Sequence, residues 1–198
     1  VTENADELAL MQSIRFKWKP QLEIAVSGTA IREAFLAALV ANESGGEPDA
    51  KRFEPGVLGK LWSVILDRTP RYGSITKSDL TGYVQPRELT SLRDSFRNLD
   101  DLATSWGLTQ IMGYHILEWA SIPGWYRSVD DLRMPDRHLK CSALLLTQFA
   151  NRFELDLSTN FSELLHCWNS GAPTGQTFDP EYVPNGLSRM ELYSSLGG

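Results

Sequence analysis

Ala41-Asn42-Glu43-Ser44-Gly45-Gly46 closes an apolar stretch that runs through Ile31, Phe35, Leu36, Leu39 and Val40. Their spacing places those side chains on one face of a helix. Thr29 is expected to cap its start. Gly45-Gly46 is expected to end it, since glycine takes the left-handed conformation of a helix terminus without steric cost. Glu43 lies four residues after Leu39 and three after Val40, so it continues the apolar stripe rather than the solvent face. Burial there raises a carboxyl pKa, and the helix dipole disfavours negative charge in the last turn. Both favour the protonated acid, the group that a glycosidase uses to protonate the leaving oxygen of a sugar bond. The alternative is a helix-terminal glutamate that bends into water.

A second stretch, Ser105-Trp106-Gly107-Leu108-Thr109-Gln110-Ile111-Met112-Gly113, carries residue types suited to a sugar. Trp106 offers an aromatic face, Gly107 allows close backbone approach, and Gln110 has both a donor and an acceptor. Read alone, the same residues fit a helix start with a buried tryptophan and a surface glutamine.

Outward from these stretches the spacing predicts mostly helix. Thr2 to Phe16 is weakly amphipathic, and Pro20 should break it. Pro55 to Arg68 holds Val57, Leu58, Leu61, Trp62 and Ile65 at helical spacing. Arg71 to Val84 is the one place that suggests a short β-hairpin. Pro86 suits the first turn of a helix to about Ala103. Leu108, Ile111, Met112, His115 and Trp119 share a face of the next helix. Ser128 can cap a short helix that ends before Pro135. Leu139 to Phe153 is the longest and most apolar helical stretch. Asn160 with Glu163 makes a capping-box-like start for a helix through Leu164, Leu165 and Trp168. Gly171 to Asp179 reads as a loop, and Asp179-Pro180 opens a last helical region with a bend at Pro184. The expected fold class is mainly α, of α+β type. It is a single helical domain over 21–198 with at most a small β-hairpin, preceded by an N-terminal helical extension over 1–20.

The chain has 198 residues, 42% hydrophobic and 22% charged, and a formal net charge of −6. That is ordinary globular composition with room for one core. Without a basic run, nucleic acid is not an expected partner, because phosphate binding needs concentrated positive charge. No apolar run approaches the roughly 20 residues of a membrane span. Val1 to Ala9 is polar and acidic, unlike a signal peptide, which leaves the compartment open. Cys141 and Cys167 allow one bridge at most, and two reduced, buried thiols are the simpler expectation. His115, His138 and His166 lack zinc-ligand spacing, so no metal or cofactor is expected. His115, on the apolar face, is expected to be a core histidine.

Taken in order, Glu43-Ser44-Gly45-Gly46, Phe53-Glu54-Pro55 and Ser105 to Gly113 resemble the phage and bacterial N-acetylmuramidase family of the lysozyme-like superfamily. That family is related to soluble lytic transglycosylases and goose-type lysozymes. Cys167-Trp168-Asn169-Ser170-Gly171 is similar to the aromatic-Asn-x-Gly element of the transglycosylase cleft, and Tyr182-Val183 to the Tyr-Val that follows it. The resemblance spans about Gln21 to Tyr193. It implies a lysozyme-like fold and cleavage of the β-1,4 bond between N-acetylmuramic acid and N-acetylglucosamine in peptidoglycan glycan strands. It implies Glu43 as general acid and Ser105, Trp106, Gln110, Asn169 and Tyr182 as substrate-binding residues, with Tyr182 also reaching the acid. Glu54, restrained by Phe53 and Pro55, is the candidate second carboxylate of a hydrolase; Glu47 and Asp49 are weaker candidates. A lytic transglycosylase needs no such base, because the substrate's own C6 hydroxyl attacks to leave 1,6-anhydromuramic ends. A glycan-binding or structural protein without turnover is the reading from another class. The chain departs from the muramidase pattern at Gly56, where histidine is expected, and from many transglycosylases at Trp106, where a small residue is common. The implied place of action is the cell wall, periplasmic or extracellular, or after release from the cytoplasm as an endolysin.

Overall fold

A computed structural model describes residues 2–83, 98–126 and 128–197. The architecture is mainly helical with a small antiparallel sheet. Helix α1 (Thr2–Val26) is followed by α2 (Glu33–Ser44), strand β1 (Lys51–Phe53) and α3 (Pro55–Ile65). A hairpin of β2 (Arg71–Tyr72) and β3 (Ile75–Thr76) leads into α4 (Lys77–Gly82). Then come β4 (Thr104–Trp106), β5 (Ile111–Met112), the one-turn α5 (His115–Glu118) and a 3-10 helix (Val129–Arg133). Helices α6 (Pro135–Phe153), α7 (Phe161–Ser170) and α8 (Tyr182–Ser195) complete the chain. Most of the helix expected from Pro86 lies outside the described residues; residues 98–102 are helical.

Helix α2 is the centre. Every residue from Ala34 to Ala41 is buried. The helix is therefore apolar all round rather than on one stripe, as a helix enclosed by others must be. Helices α1 and α8 cover it, with α6 and α7 completing the first core around Phe35, Leu39, Leu146 and Leu165. A second core gathers Leu61, Ile75, Leu102, Ile116, Trp119 and Leu132 beneath the strands and short helices. Helix α6 joins the two, giving Leu139, Ala143 and Leu146 to the first and Cys141 and Leu145 to the second.

Several boundaries differ from the spacing. Pro20 does not break α1, which runs through it. Pro20 faces solvent, and so does Phe16, whose carbonyl loses its helical partner to the proline. Water can satisfy that carbonyl. Burial of Met11, Ile14, Leu22 and Ala25 on the other side holds the two halves in line. Residues 1–20 pack onto the first core through Met11 and Ile14. At 25 residues α1 also exceeds the 19 of α6, the expected longest. Thr29 caps no helix: its hydroxyl accepts from the Ile31 amide at 3.1 Å and donates to the Val26 carbonyl, and α2 begins at Glu33. Asn160 builds no capping box; its Oδ1 accepts from the Asp156 amide at 2.8 Å. Ser128 does cap the 3-10 helix, in a box with Asp131. Pro184 sits in the first turn of α8, where an amide proton has no helical partner to lose.

The largest correction concerns the second stretch. Ser105 to Met112 is a tight β-hairpin, and the β2–β3 hairpin is thus not the sole one. Strand β1 pairs with β4 (Arg52 opposite Ser105) and β4 with β5 (Ser105 opposite Met112), giving the order β1-β4-β5. Gly107 and Gln110 take positive φ of 72° and 55° to turn the chain between them. Gly107 is also a close approach: a Cβ there would stand 2.6 Å from His138 Nδ1 and 2.7 Å from the Leu132 carbonyl oxygen.

Candidate active site

The hairpin lies between the end of α2 and α7, at the seam of the two cores. Ser44 Oγ donates to the Leu108 carbonyl at 2.7 Å, and Trp168 Nε1 donates to the Thr109 carbonyl at 3.0 Å. The C-terminus of α2 is fixed by Gly45 in the left-handed conformation, whose amide reaches the Ala41 carbonyl. Gly46, also left-handed, accepts on its carbonyl from Trp18 Nε1 of α1 at 3.0 Å.

Glu43 is thereby held partly buried at the helix end. Tyr182, the first residue of α8, is 8% exposed and donates its hydroxyl proton to Glu43 Oε1. No described residue bonds Oε2. Burial pushes the Glu43 carboxyl up to about 7; the Tyr182 bond and the Arg52 guanidinium act in the opposite direction and are outweighed. Burial and the adjacent carboxylate push the Tyr182 hydroxyl far above its ordinary range, so it remains a donor.

Arg52 on β1 shares its sheet face with Ser105 and Met112. Its Nε donates to Glu54 Oε1 at 2.6 Å. Glu54 precedes α3, where its own amide donates to the Ala103 carbonyl at 2.9 Å. Arg52 therefore links the two candidate carboxylates, acting on Glu43 through space and on Glu54 by direct ion pairing. Glu47 and Asp49 are exposed.

Ser105 is buried, and its hydroxyl bonds Gln110 Oε1 at 2.9 Å and the Arg52 carbonyl at 3.2 Å. Gln110 Nε2 donates to the Gly107 carbonyl at 2.9 Å. Much of the hydrogen-bonding capacity of Ser105 and Gln110 is thus spent on shaping the hairpin. Gln110 and Asn169 nevertheless meet across a cavity of about 520 Å³, with Met112, Tyr114, Phe149 and Trp168 among its walls. Asn169 is exposed at the end of α7, and its Oδ1 accepts from the Phe178 amide at 3.4 Å. Trp106 is not part of that cavity. It sits on the opposite sheet face from Ser105, bonds the Asp101 carbonyl through Nε1 at 2.9 Å, and borders a separate hollow with Asp49 and Arg133. Glu43 also lies outside the residues lining the larger cavity.

The same cavity receives residues that spacing missed. His115 Nδ1 pairs with Glu118 Oε2 at 2.6 Å, and Ser74 donates to Glu118 Oε1 at 3.1 Å. Burial works to raise the Glu118 carboxyl, yet the His115 and Ser74 bonds prevail and hold it low. His115 is thus a cavity-wall residue rather than the core histidine. Its i,i+3 spacing to Glu118 was the available signal. The core histidine is His138, which is 1% exposed. Its Nε2 accepts from the Thr109 amide at 2.9 Å, which leaves Nδ1 to donate to the Leu132 carbonyl at 2.8 Å. Burial holds it down at about 4, so it stays neutral. Cys141 and Cys167 are free and buried, with thiols pushed by burial to about 12 and about 11.

Among the described residues no cluster of His, Cys, Asp and Glu could hold a metal ion, and no helix is long and apolar enough to cross a membrane. No protein-family profile, curated protein or solved structure matches this chain.

Proposed function

We propose that the protein is a lysozyme-like glycosidase that cleaves the β-1,4 bond between N-acetylmuramic acid and N-acetylglucosamine, with Glu43 as general acid. The observation that carries this reading is the asymmetry of the Glu43 carboxyl. Oε1 accepts from Tyr182, and Oε2 has no partner among the described residues. When the acid is neutral, its proton therefore resides on Oε2, the oxygen not accepting from Tyr182. A carboxyl near 7 is populated in both forms at neutral pH, which suits a group that gives a proton and takes it back.

In the first step Oε2 transfers its proton to the glycosidic oxygen as the C1–O bond breaks, leaving an oxocarbenium-like sugar and a Glu43 carboxylate. In the second step an oxygen nucleophile adds to C1 and loses its proton to a carboxylate. For hydrolysis the nucleophile is water and Glu54 is the candidate base. The cavity between Gln110 and Asn169 would take the strand beyond the cleavage point, with Tyr114, Phe149 and Trp168 presenting ring faces to sugar.

One observation favours a lytic transglycosylase as the second reading. Glu54 Oε1 is occupied by the Arg52 guanidinium at 2.6 Å, so that oxygen is not free to take a proton from water. If the C6 hydroxyl attacks instead, Glu43 itself recovers the proton. A purely glycan-binding protein is less well supported, because binding gives no return for keeping a carboxyl in a site that disfavours its charged form.

Mass spectrometry of digested sacculi tests the proposal. Reducing-end muramic acid is expected for hydrolysis, and 1,6-anhydro ends for transglycosylation. Absence of glycan products from folded wild-type protein would refute the enzymatic reading.

A further inference from the structure

The Glu43–Tyr182 bond is the last link of a chain that begins on α1. Glu7 grips Arg189 of α8 with both oxygens, Nε to Oε2 at 2.6 Å and Nη2 to Oε1 at 2.7 Å. The remaining arm, Nη1, donates to Asn42 Oδ1 at 2.8 Å. Asn42 Nδ2 donates to the backbone carbonyl of Tyr182 at 2.8 Å. Asn42 immediately precedes Glu43 on α2. Arg189 is largely sheltered, with 16% of its side chain exposed. Helix α8 also lies flush against the amide: a Cβ on Gly186 would meet Asn42 Nδ2 at 3.0 Å and Leu165 Cδ1 at 2.7 Å.

The chemistry of this chain permits one arrangement. Guanidinium nitrogens only donate and a backbone carbonyl only accepts. Asn42 must therefore turn its oxygen to Arg189 and its nitrogen to Tyr182; a flipped amide would set donor against donor and acceptor against acceptor. The bidentate pairing with Glu7 fixes the guanidinium plane, and so the direction of Nη1.

We propose that Glu7, Arg189 and Asn42 are positioning residues that hold the start of α8 so that the Tyr182 hydroxyl meets Oε1 of Glu43. Its catalytic consequence rests on the reading of Glu43 as general acid; the positioning itself does not. It makes the N-terminal helix part of the site's machinery. The groups acting on Glu43 are Tyr182 from α8 and Arg52 from β1, and Arg189 faces Glu7 from α1 and Asn42 from α2.

The test is the titration of the Glu43 side-chain carboxyl, followed by ¹³C NMR in full-length protein without substrate. The Tyr182 bond favours the ionised form, so Tyr182→Phe raises the midpoint. Arg189→Met should raise it too, by about half a pH unit, roughly a threefold change in proton affinity. In the Tyr182→Phe background Arg189→Met should add nothing. Glu7→Gln, close to isosteric, should move the midpoint the same way by less, and it serves if Arg189→Met fails to fold. An unmoved midpoint in both folded variants overturns the proposal. So does an Arg189→Met shift that persists alongside Tyr182→Phe, since that would be direct charge action rather than positioning. Wild type that yields no glycan products would refute the enzymatic reading while leaving the titration result to stand.

Discussion

Glu43 and His138 are both titratable groups taken out of water, and burial is the first cause of the shift in each, upward to about 7 for the acid and downward to about 4 for the imidazole. What separates them is how many of their polar atoms the protein satisfies. Both nitrogens of His138 are bonded inside the fold, and Thr109 Oγ1, Ser142 Oγ and the His138 carbonyl continue the network. Nothing remains for a ligand, so His138 welds the β4–β5 hairpin to α6. Glu43 has one oxygen bonded and one without a partner among the described residues. The same desolvation thus yields a structural weld in one place and a candidate proton donor in the other. A perturbed pKa marks function only where a lone atom is left over.

The comparison breaks most visibly at Glu43. Glu43→Gln should lower glycan cleavage by about 10²–10⁴-fold, the range for loss of a general acid. Product formation on purified peptidoglycan measures it, and near-normal rates in the variant would end the distinction. On the structural side, Gly107→Ala forces a Cβ into the His138 ring at a backbone φ of 72°. A loss of about 3–5 kcal/mol is expected, read by denaturant unfolding.

The third prediction concerns pH. Below about 4.5 Glu43 is protonated in both folded and unfolded chains and contributes nothing. As pH rises toward about 7 the unfolded chain ionises while the folded one resists, so stability is lost and the loss levels off above 7. Glu43→Gln should therefore match wild type in acid and exceed it by up to about 3 kcal/mol near pH 8. His138 acts with the opposite sign. Its folded pKa is depressed, so its contribution is present above about 6.5 and lost as pH falls toward about 4. Thermal unfolding across pH 4–8 sharpens the contrast; a Glu43→Gln difference that is flat with pH would contradict it. The smallest effect is expected for Ser142→Ala, about 1–2 kcal/mol for the two bonds its hydroxyl makes to Thr109 and the His138 carbonyl, with cleavage rates unchanged.

Legibility followed how local each determinant was. The end of α2 could be read because Leu39, Val40, Glu43 and the glycine pair lie within one helical window. The 3-10 helix could be read because Ser128 and Asp131 meet across three residues. The Leu108–Trp119 stretch misled, because its apolar spacing suits a helix while pairing of Ile111–Met112 with Ser105–Trp106, itself paired with Lys51–Phe53, made its start the second arm of a hairpin. Pro20 misled for a related reason: burial on both sides of it outweighs one lost helical bond. Trp106, a candidate substrate residue by resemblance, lies by alternation in β4 on the opposite face from Ser105, which spacing alone did not show.

The sequence by itself determined a mainly helical chain, a glutamate placed to be buried at a helix end, and glycines where no side chain fits. These follow from short-range periodicity and backbone sterics. Only the tertiary structure decided that Tyr182 meets Glu43, that Arg52 binds Glu54, and that Glu7 reaches across to Arg189. Those contacts join residues 139, 2 and 182 positions apart. The short Arg52–Glu54 step was equally invisible, because a strand's end and a helix's start had to be fixed before the two side chains could face each other. Hydrogen bonds carry no signature along the chain when folding, rather than spacing, brings donor to acceptor.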